Sequence, residues 1–333
     1  MIVKFQLIDA MNLFFATKHV VRGDADQKGA MAVHIAIQSM AKAWRMFNID
    51  HVVMALESKN NWRYDHLKNY KGQRRLKQLE RTARDIEDDE IFFSYLDGFV
   101  KFVADRTNIT VLQASRCEAD DMIARWVQLH PDDKHVIVSN DTDFYQLLAP
   151  NVTIYRPQQK QIIDTTSIID SETDKTIIDG KTKKPKLPPE PKWELFKKIC
   201  RGDSTDNIFP ATAPRTRETK IRSAYEDQNN KGFDFNNLML TEFDDPMSGE
   251  SVKTINRFSE NERLIDLTKQ PQEIRDTAAK SIIQSVAKEE IPNAKIGHSF
   301  MRFCSEYDLK RLSDNFATIT PMFTARYGDK NAN

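Results

Sequence analysis

Five short apolar, β-branched runs punctuate the first 155 residues, each divided from the next by a helical pattern. The runs are Val3–Asp9, His51–Glu57, Ile109–Leu112, Lys134–Ser139 and Val152–Tyr155. The helical stretches are Lys28–Asn48, Asp89–Arg106, Glu118–Leu129 and Asp143–Leu148. Uninterrupted apolar runs belong to strands covered on both faces. Strands that alternate with helices assemble as right-handed βαβ units, so an α/β fold with a doubly wound, mostly parallel sheet flanked by helices is expected. Ligands of such sheets bind beyond the carboxyl ends of the strands. Carboxylates stand at those ends. Asp9 and Glu57 close their runs, Asp141 follows the fourth, and Glu118, Asp120 and Asp121 open a helix one loop after the third.

One such acid can cap a turn, and acids suit a helix N-terminus electrostatically. With Asp143, Asp203 and Asp206 added, nine acids in five clusters would repel one another unless cations neutralised them. Oxygen donors without Cys or His suit Mg2+ or Mn2+ rather than zinc. On a helix, residues 118 and 121 share a face. Asp141 and Asp143, two apart in SNDTDF at 139–144, can each face a different ion, although Asp143 also suits a helix N-cap. Asp203 and Asp206 share a tight turn in RGDSTDN at 201–207. Together these acids point to a metal-dependent phosphodiesterase.

Charge admits a nucleic-acid partner only through local bias. Lys plus Arg number 49, as do Asp plus Glu, so the formal net charge is zero. Yet Trp62 to Arg84 holds eight basic residues against two acidic ones, followed by Asp85, Glu87, Asp88, Asp89 and Glu90. An acidic cage beside a basic stripe is the layout of a nuclease, the cage holding metal and the stripe phosphates. A solvated charged helix is the alternative. Phe14 and Phe15, just after Asp9, either stack on a base or pack in the core. No apolar run is long enough to suggest a membrane span, and MIVKFQLIDAM reads as a buried strand rather than a signal peptide. Cys117, Cys200 and Cys304 are few and scattered, which fits a reducing cytoplasm.

Residues 158–192 are polar and rich in Lys and Pro, as in GKTKKPKLPPEP, and read as a hairpin followed by a looser connector. From Trp193 the pattern is helical, over Trp193–Arg201, Arg217–Asp227, Val252–Leu267, Gln272–Lys288 and, with breaks, Lys295–Asn315. No strand is evident there, and no internal repeat anywhere. The expected division is an α/β core over 1–157, the connector over 158–192, a helical region over 193–316 and a frayed tail over 317–333.

LID at 7–9, EADD at 118–121, SNDTDF at 139–144 and RGDSTDN at 201–207, in that order, resemble the 5′-nuclease superfamily of flap endonucleases and polymerase-associated 5′-exonucleases. WRYDHLKNYKGQRR at 62–75 and the stretch Arg257–Phe316 resemble its T-even-type phage ribonuclease H branch. The likeness runs from Asp9 to about Phe316. It implies a PIN-like core with a basic arch or clamp at about 73–91, and a divergent helix–hairpin–helix within the helical region. It also implies two Mg2+ ions, replaceable by Mn2+, that activate water and stabilise the leaving 3′-oxygen. By this resemblance Asp9, Glu57, Asp120 and Asp141 would hold the first ion, with Asp9 and Asp141 central to catalysis. Asp143, Asp203 and Asp206 would hold the second, with Glu118 and Asp121 at the boundary.

The same resemblance places Lys71 on the family's catalytic lysine and Arg63 on a second phosphate-directed cation. Arg74, Arg75, Lys77, Arg81 and Arg84 extend the stripe along the arch. Two departures stand out. Glu57 occupies a position where the family usually has Asp, and reaches one methylene further. The family's Gly-rich hairpin turns, which hold a monovalent cation, are replaced by IFPATAPRTRETKIRSAY, so Arg215, Arg217, Lys220 and Arg222 are expected to contact duplex by charge. The implied activity is that of a monomeric, cytoplasmic 5′→3′ exonuclease and flap endonuclease with ribonuclease H activity. Its task would be to remove RNA primers and adjacent DNA from lagging-strand fragments in phage replication. Its partners would be DNA and RNA–DNA hybrids, with a phage single-strand-binding protein or sliding clamp. The rivals are a PIN-type ribonuclease, which lacks the Trp193–Asn207 element, and a non-catalytic flap-binding module, which would have lost acids that this chain retains.

Overall fold

The computed structural model describes residues 2–18, 21, 23–245 and 249–328, without the side chains of residues 16, 17, 75 and 77. Seven strands form one sheet: β1 (Lys4–Asp9), β2 (His51–Ala55), β3 (Thr110–Leu112), β4 (Lys134–Val138), β5 (Val152–Arg156), β6 (Gln161–Ile163) and β7 (Ile168–Asp170). Their order is β3-β2-β1-β4-β5-β6-β7. The first five are parallel, with Phe5 opposite His51 on one side and His135 on the other. β6 and β7 add on antiparallel. β1 sends Phe5 and Leu7 into one hydrophobic cluster and Ile8 into another, because successive side chains leave opposite faces of a strand. Both faces are therefore covered, which explains why the strands read as unbroken apolar runs.

Helices fill the connections. α1 (Ala10–Lys18) leaves β1 directly. α2 (Ala25–Phe47) starts where the Asp24 side chain accepts from the Gln27 amide, and stops at Asn48 in the left-handed region. After β2 come α3 (Arg63–His66), α4 (Gly72–Leu79) and α5 (Ala83–Arg106), the last opened by a Thr82–Asp85 capping box. α6 (Ala119–Leu129) follows β3. The C-terminal half is mainly helical: α7 (Pro191–Arg201), α8 (Glu218–Asp227), α9 (Phe233–Met239), α10 (Thr254–Ile265), α11 (Gln272–Val286), α12 (Asn293–Glu306), α13 (Lys310–Asp314) and α14 (Phe316–Thr324). A third cluster, around Trp193, Phe196, Ile221 and Phe258, holds α7, α8 and α10 together. Among the described residues, no helix is long and apolar enough to cross a membrane.

The structure departs from the sequence expectations in four places. Residues Asp143–Leu147 form a 3-10 turn, not an α-helix. Glu242–Asp244 (β8) and Ser251–Lys253 (β9) pair as a small hairpin where only helices were expected; three-residue strands are too short for periodicity to register. The segment expected to fray is instead α14, with Ile319, Met322 and Phe323 buried. Pro321 and the β-branched run lower its intrinsic helicity, and packing of Phe323 against Phe102 and Phe300 overrides that.

The fourth is an internal repeat. Ile-Ile-Asp recurs at 162–164, 168–170 and 177–179. Each Asp caps the turn that follows it. Asp164 accepts from the amides of Thr166 and Ser167, Asp170 from those of Glu172 and Thr173, and Asp179 from those of Lys181 and Thr182. The connector is thus an antiparallel meander: beyond β7, Ile169 pairs with Thr176 and Ile178 with Pro185. Unequal turn lengths hide the repeat from a search for a fixed period.

Candidate metal centre and its cations

The chain runs β1, β2, β3 to one side and then returns to place β4 on the other side of β1. That reversal opens a crevice at the carboxyl ends of β1 and β4, where ligands of such sheets bind. A cleft of about 950 Å³ occupies it, lined by Asp9, Glu57, Glu118, Asp120, Asp141, Asp143, Asp203 and Asp206. Eight of the nine acids singled out in the sequence therefore meet in one place. Asp120, Asp141 and Asp143 each present an oxygen to a common point, all within 4.8 Å of one another.

Local structure orients these groups. The Asn12 amide donates to Asp9 Oδ1 at 3.1 Å and Ser139 Oγ to Asp9 Oδ2 at 3.1 Å. Ser139 Oγ in turn accepts from the Asp141 amide, and Asp141 Oδ1 accepts from the Asp143 amide at 2.9 Å. Burial pushes the Asp9 carboxyl up to about 6, and Asp141 and Glu57 push it further in that direction, against the Asn12 and Ser139 hydrogen bonds. Burial, with Asp9, Asp141, Glu118 and Asp143 nearby, raises Asp120 well above the usual carboxylate range. Burial also raises Asp143. Such a cluster holds too much negative charge for its surroundings, and an all-oxygen donor set of this kind fits a hard divalent cation.

Two lysines flank the cluster. Lys71 Nζ donates to Glu57 Oε1 at 3.2 Å and also to Glu118 Oε1, while its own amide donates to the Asp206 carbonyl. Lys71 sits at φ 52°, ψ 24° before α4, a strained backbone for a non-glycine residue. Lys198, on α7, pairs with Asp143 and with Asp203, the latter at 2.7 Å. Burial opposes the charge on Asp203, but hydrogen bonds from Lys198 and Thr205 hold it down to about 2. Lys198 carries no motif that marks it in the sequence. It reaches the site because α7 packs against the 3-10 turn at Asp143. Tyr70, also missed, places its hydroxyl 3.0 Å from Glu118 Oε2 and 2.9 Å from Asp206 Oδ2, bridging the core acids to the C-terminal half.

One expected site residue lies behind the cleft, and another is held on its wall by buried acids. Asp121 does not line the cleft and is fully buried. Its carboxylate accepts from both Nη atoms of Arg63 at 2.9 Å, from Trp62 Nε1, from Gln270 Nε2 and from the Glu118 amide. Burial works against this charge, and Arg63 outweighs burial, so Asp121 titrates below its usual range. Arg63 is 3% exposed, with Nη1 also on Glu118 Oε2 and Nε on the Leu264 carbonyl. It lines the cleft, and its hydrogen bonds position Glu118 and Asp121. Glu57 stays at the rim, where its side chain is 40% exposed.

The basic stripe is partly spoken for. Arg74 pairs with Asp206 at 3.0 Å, and Arg81 pairs with Asp89, which also holds Lys18. Arg84 is exposed, and the side chains of Arg75 and Lys77 lie outside those described. Arg215, Arg217 and Lys220 are exposed at the start of α8. Arg222 instead pairs with Glu190 and Glu226 and lies over the Trp193 ring, clasping α8 to α7. Phe14 packs on Phe92 in the core, whereas Phe15 lines the cleft.

The sequence profile described as "5'-3' exonuclease, N-terminal resolvase-like domain" matches residues 4–173. The chain belongs to that 5′-3′ exonuclease family. A flap endonuclease of Escherichia phage T5 is 32% identical over 149 residues, which are 44% of this chain and 49% of that protein, so the match spans about half the relative's length. Three solved structures share the fold. The T5 protein co-crystallised with metal ions superposes with a TM-score of 0.58 at 19% identity, over 86% of this chain and 100% of the other. A T5 flap endonuclease complex with DNA and metal ions gives 0.59 at 19% identity over 85% and 98%. T5 5'-exonuclease with bound zinc gives 0.58 at 22% identity over 84% and 98%. The fold of these structures, with its mostly parallel sheet and helical C-terminal region, thus extends over 84–86% of this chain.

Proposed function

We propose that this member of the 5′-3′ exonuclease family is a Mg2+-dependent 5′→3′ exonuclease and flap endonuclease with ribonuclease H activity. Its substrates are RNA–DNA hybrids, nicked duplexes and 5′ flaps, and its task is removal of RNA primers and adjacent DNA during phage replication in the host cytoplasm. The observation that carries this is the meeting of Asp120, Asp141 and Asp143 within 4.8 Å in a cleft lined by eight acids. Mg2+ or Mn2+ held by Asp9, Glu57, Asp120 and Asp141, and by Asp143, Asp203 and Asp206, would activate water and stabilise the leaving 3′-oxygen.

The chain's own groups supply the rest. Ser139 and the Asn12 amide fix the rotamer of Asp9. Lys71 and Lys198 neutralise Glu57, Glu118, Asp143 and Asp203. With a divalent ion held by those acids, both ammonium groups would be free to face a phosphate. Phe15, at the cleft wall, offers a face to the terminal base. Exposed Arg215, Arg217 and Lys220 suit the backbone of the flanking duplex.

The test uses an RNA–DNA hybrid and a 5′-flap duplex, each labelled at the 5′ end, incubated with Mg2+, with EDTA, and with Asp143→Asn. Short labelled products from the wild type with Mg2+ alone are expected. The variant should bind but not cut, since it loses charge with little change of volume. Near-wild-type turnover by Asp143→Asn would remove that residue from the metal set. Tight flap binding without cleavage by the wild type would make the protein a binding module.

A further inference from the structure

The outer end of the Ile-Ile-Asp meander has no part in the cleft. Between Lys175 and Lys186 the chain carries five lysines, at 175, 181, 183, 184 and 186, against the single acid Asp179. All five are exposed, and none has an ion pair among the described residues. By contrast, three of the nearby acids are engaged, and Asp174, next to Lys175, is exposed. Asp170 and Asp179 cap their own turns, and Glu172 pairs with Lys160. The lysine turn is held by backbone bonds from Asp179 to the Lys184 carbonyl at 2.9 Å and from Lys183 to the Asp179 carbonyl at 3.0 Å. It is a built turn that presents unpartnered positive charge, not a loose connector.

Lysine and proline at a sheet edge also serve to block strand addition. The charge here exceeds what that needs, and its composition indicates a ligand. No aromatic residue occurs between Tyr155 and Trp193, so the arm has no platform for stacking single-stranded bases. Clustered lysines without aromatics suit sequence-independent contact with backbone phosphates. The arm lies five ladder steps from β4, through β5, β6, β7 and the strands at 176–178 and 185–186. At about 4.8 Å per step that is roughly 24 Å, or about seven base pairs at 3.4 Å each. A stiff ligand couples sites that far apart with a sharp dependence on its length, and duplex DNA is stiff over many times that length.

We propose that this lysine turn is a second contact for the phosphate backbone of duplex DNA, engaged only when the duplex extends about seven base pairs or more from the cleft. The inference rests on the nuclease reading above. The exposed apolar pair Ile178 and Leu187 makes an acidic peptide the competing occupant.

The experiment compares the full-length wild type with a variant carrying Lys181→Gln, Lys183→Gln, Lys184→Gln and Lys186→Gln. Affinity for 5′-flap substrates with 6, 12 and 24 base pairs is measured by fluorescence anisotropy in Ca2+ across a salt series. Each lost phosphate contact removes about 0.9 from the slope of log affinity against log salt. A fall in slope of about two or more is expected on the 12- and 24-base-pair substrates and none on the shortest. The four matching Lys→Arg changes should retain the slope. Equal slopes for wild type and the Gln variant, or equal loss at every length, would overturn the proposal. So would unchanged DNA binding together with lost binding of a poly-glutamate probe, which would assign the turn to an acidic protein. Wild-type cleavage with Mg2+, run alongside, tests the nuclease reading separately.

Discussion

Arg63→Met distinguishes the cation of the resemblance from the cation of the structure. A phosphate-directed arginine would lose DNA affinity and leave the fold intact. The Arg63 seen here is 3% exposed and shares two hydrogen bonds with a carboxylate that is 0% exposed. Removing one partner of a buried pair costs about 3–5 kcal/mol, because the other charge stays behind unpaired. Asp121 keeps donors from Trp62, Gln270 and the Glu118 amide, and Glu118 keeps Tyr70 and Lys71. The lower end, about 3 kcal/mol, is therefore expected. An unfolding entropy of about 2.1 cal/mol/K per residue over 333 residues converts this to a Tm lower by roughly 4 °C. Adding Asp121→Asn removes the orphaned charge and should recover part of the loss.

The pH dependence of that loss has a definite sign. Asp121 titrates below its usual value in the folded chain. Its contribution is present above the unfolded pKa, about 4, and disappears as pH falls through the folded value. In Arg63→Met burial acts on Asp121 with Arg63 gone and raises its pKa, so the gap should be largest near neutral pH and above, narrow as pH falls through the variant's raised value, and be smallest below about pH 4. Thermal unfolding followed by circular dichroism in EDTA measures it. An unchanged Tm with at least tenfold weaker flap binding would refute the positioning role and restore the phosphate contact.

Lys71→Ala should lower single-turnover cleavage by roughly 10²-fold, the scale for losing one cation or donor at developing charge, with flap affinity little changed; the reverse pattern would make Lys71 a phosphate anchor. Metal-free Asp9 titrates near 6, so a proton competes with the ion: apparent Mg2+ affinity by calorimetry should weaken below about pH 6, and a flat profile from pH 5 to 8 would remove Asp9 from the ligand set. Glu57→Asp should retain Mg2+-dependent cleavage, since the carboxylate is kept and Glu57 stands at the exposed rim with room to adjust; complete inactivity would show that the longer side chain is required.

The sequence alone determined the α/β class, the five parallel strands to within two residues at their ends, and the meeting of eight acids. These were legible because they depend on short-range signals. Apolar runs mark buried strands, and an acid at a strand's carboxyl end falls in the crevice wherever the sheet reverses its order. What stayed hidden depends on partners far apart in the chain. Glu118 and Asp121 share a helix face, and that face turns toward Arg63, 55 and 58 residues away, whereas Asp120 turns to the cleft. Lys198 meets Asp143 across 55 residues and Tyr70 meets Asp206 across 136. An isolated carboxylate in a sequence does not reveal whether a metal or an arginine will neutralise it. Burial sets the cost of leaving the charge bare, and tertiary packing alone decides which cation stands close enough to meet it.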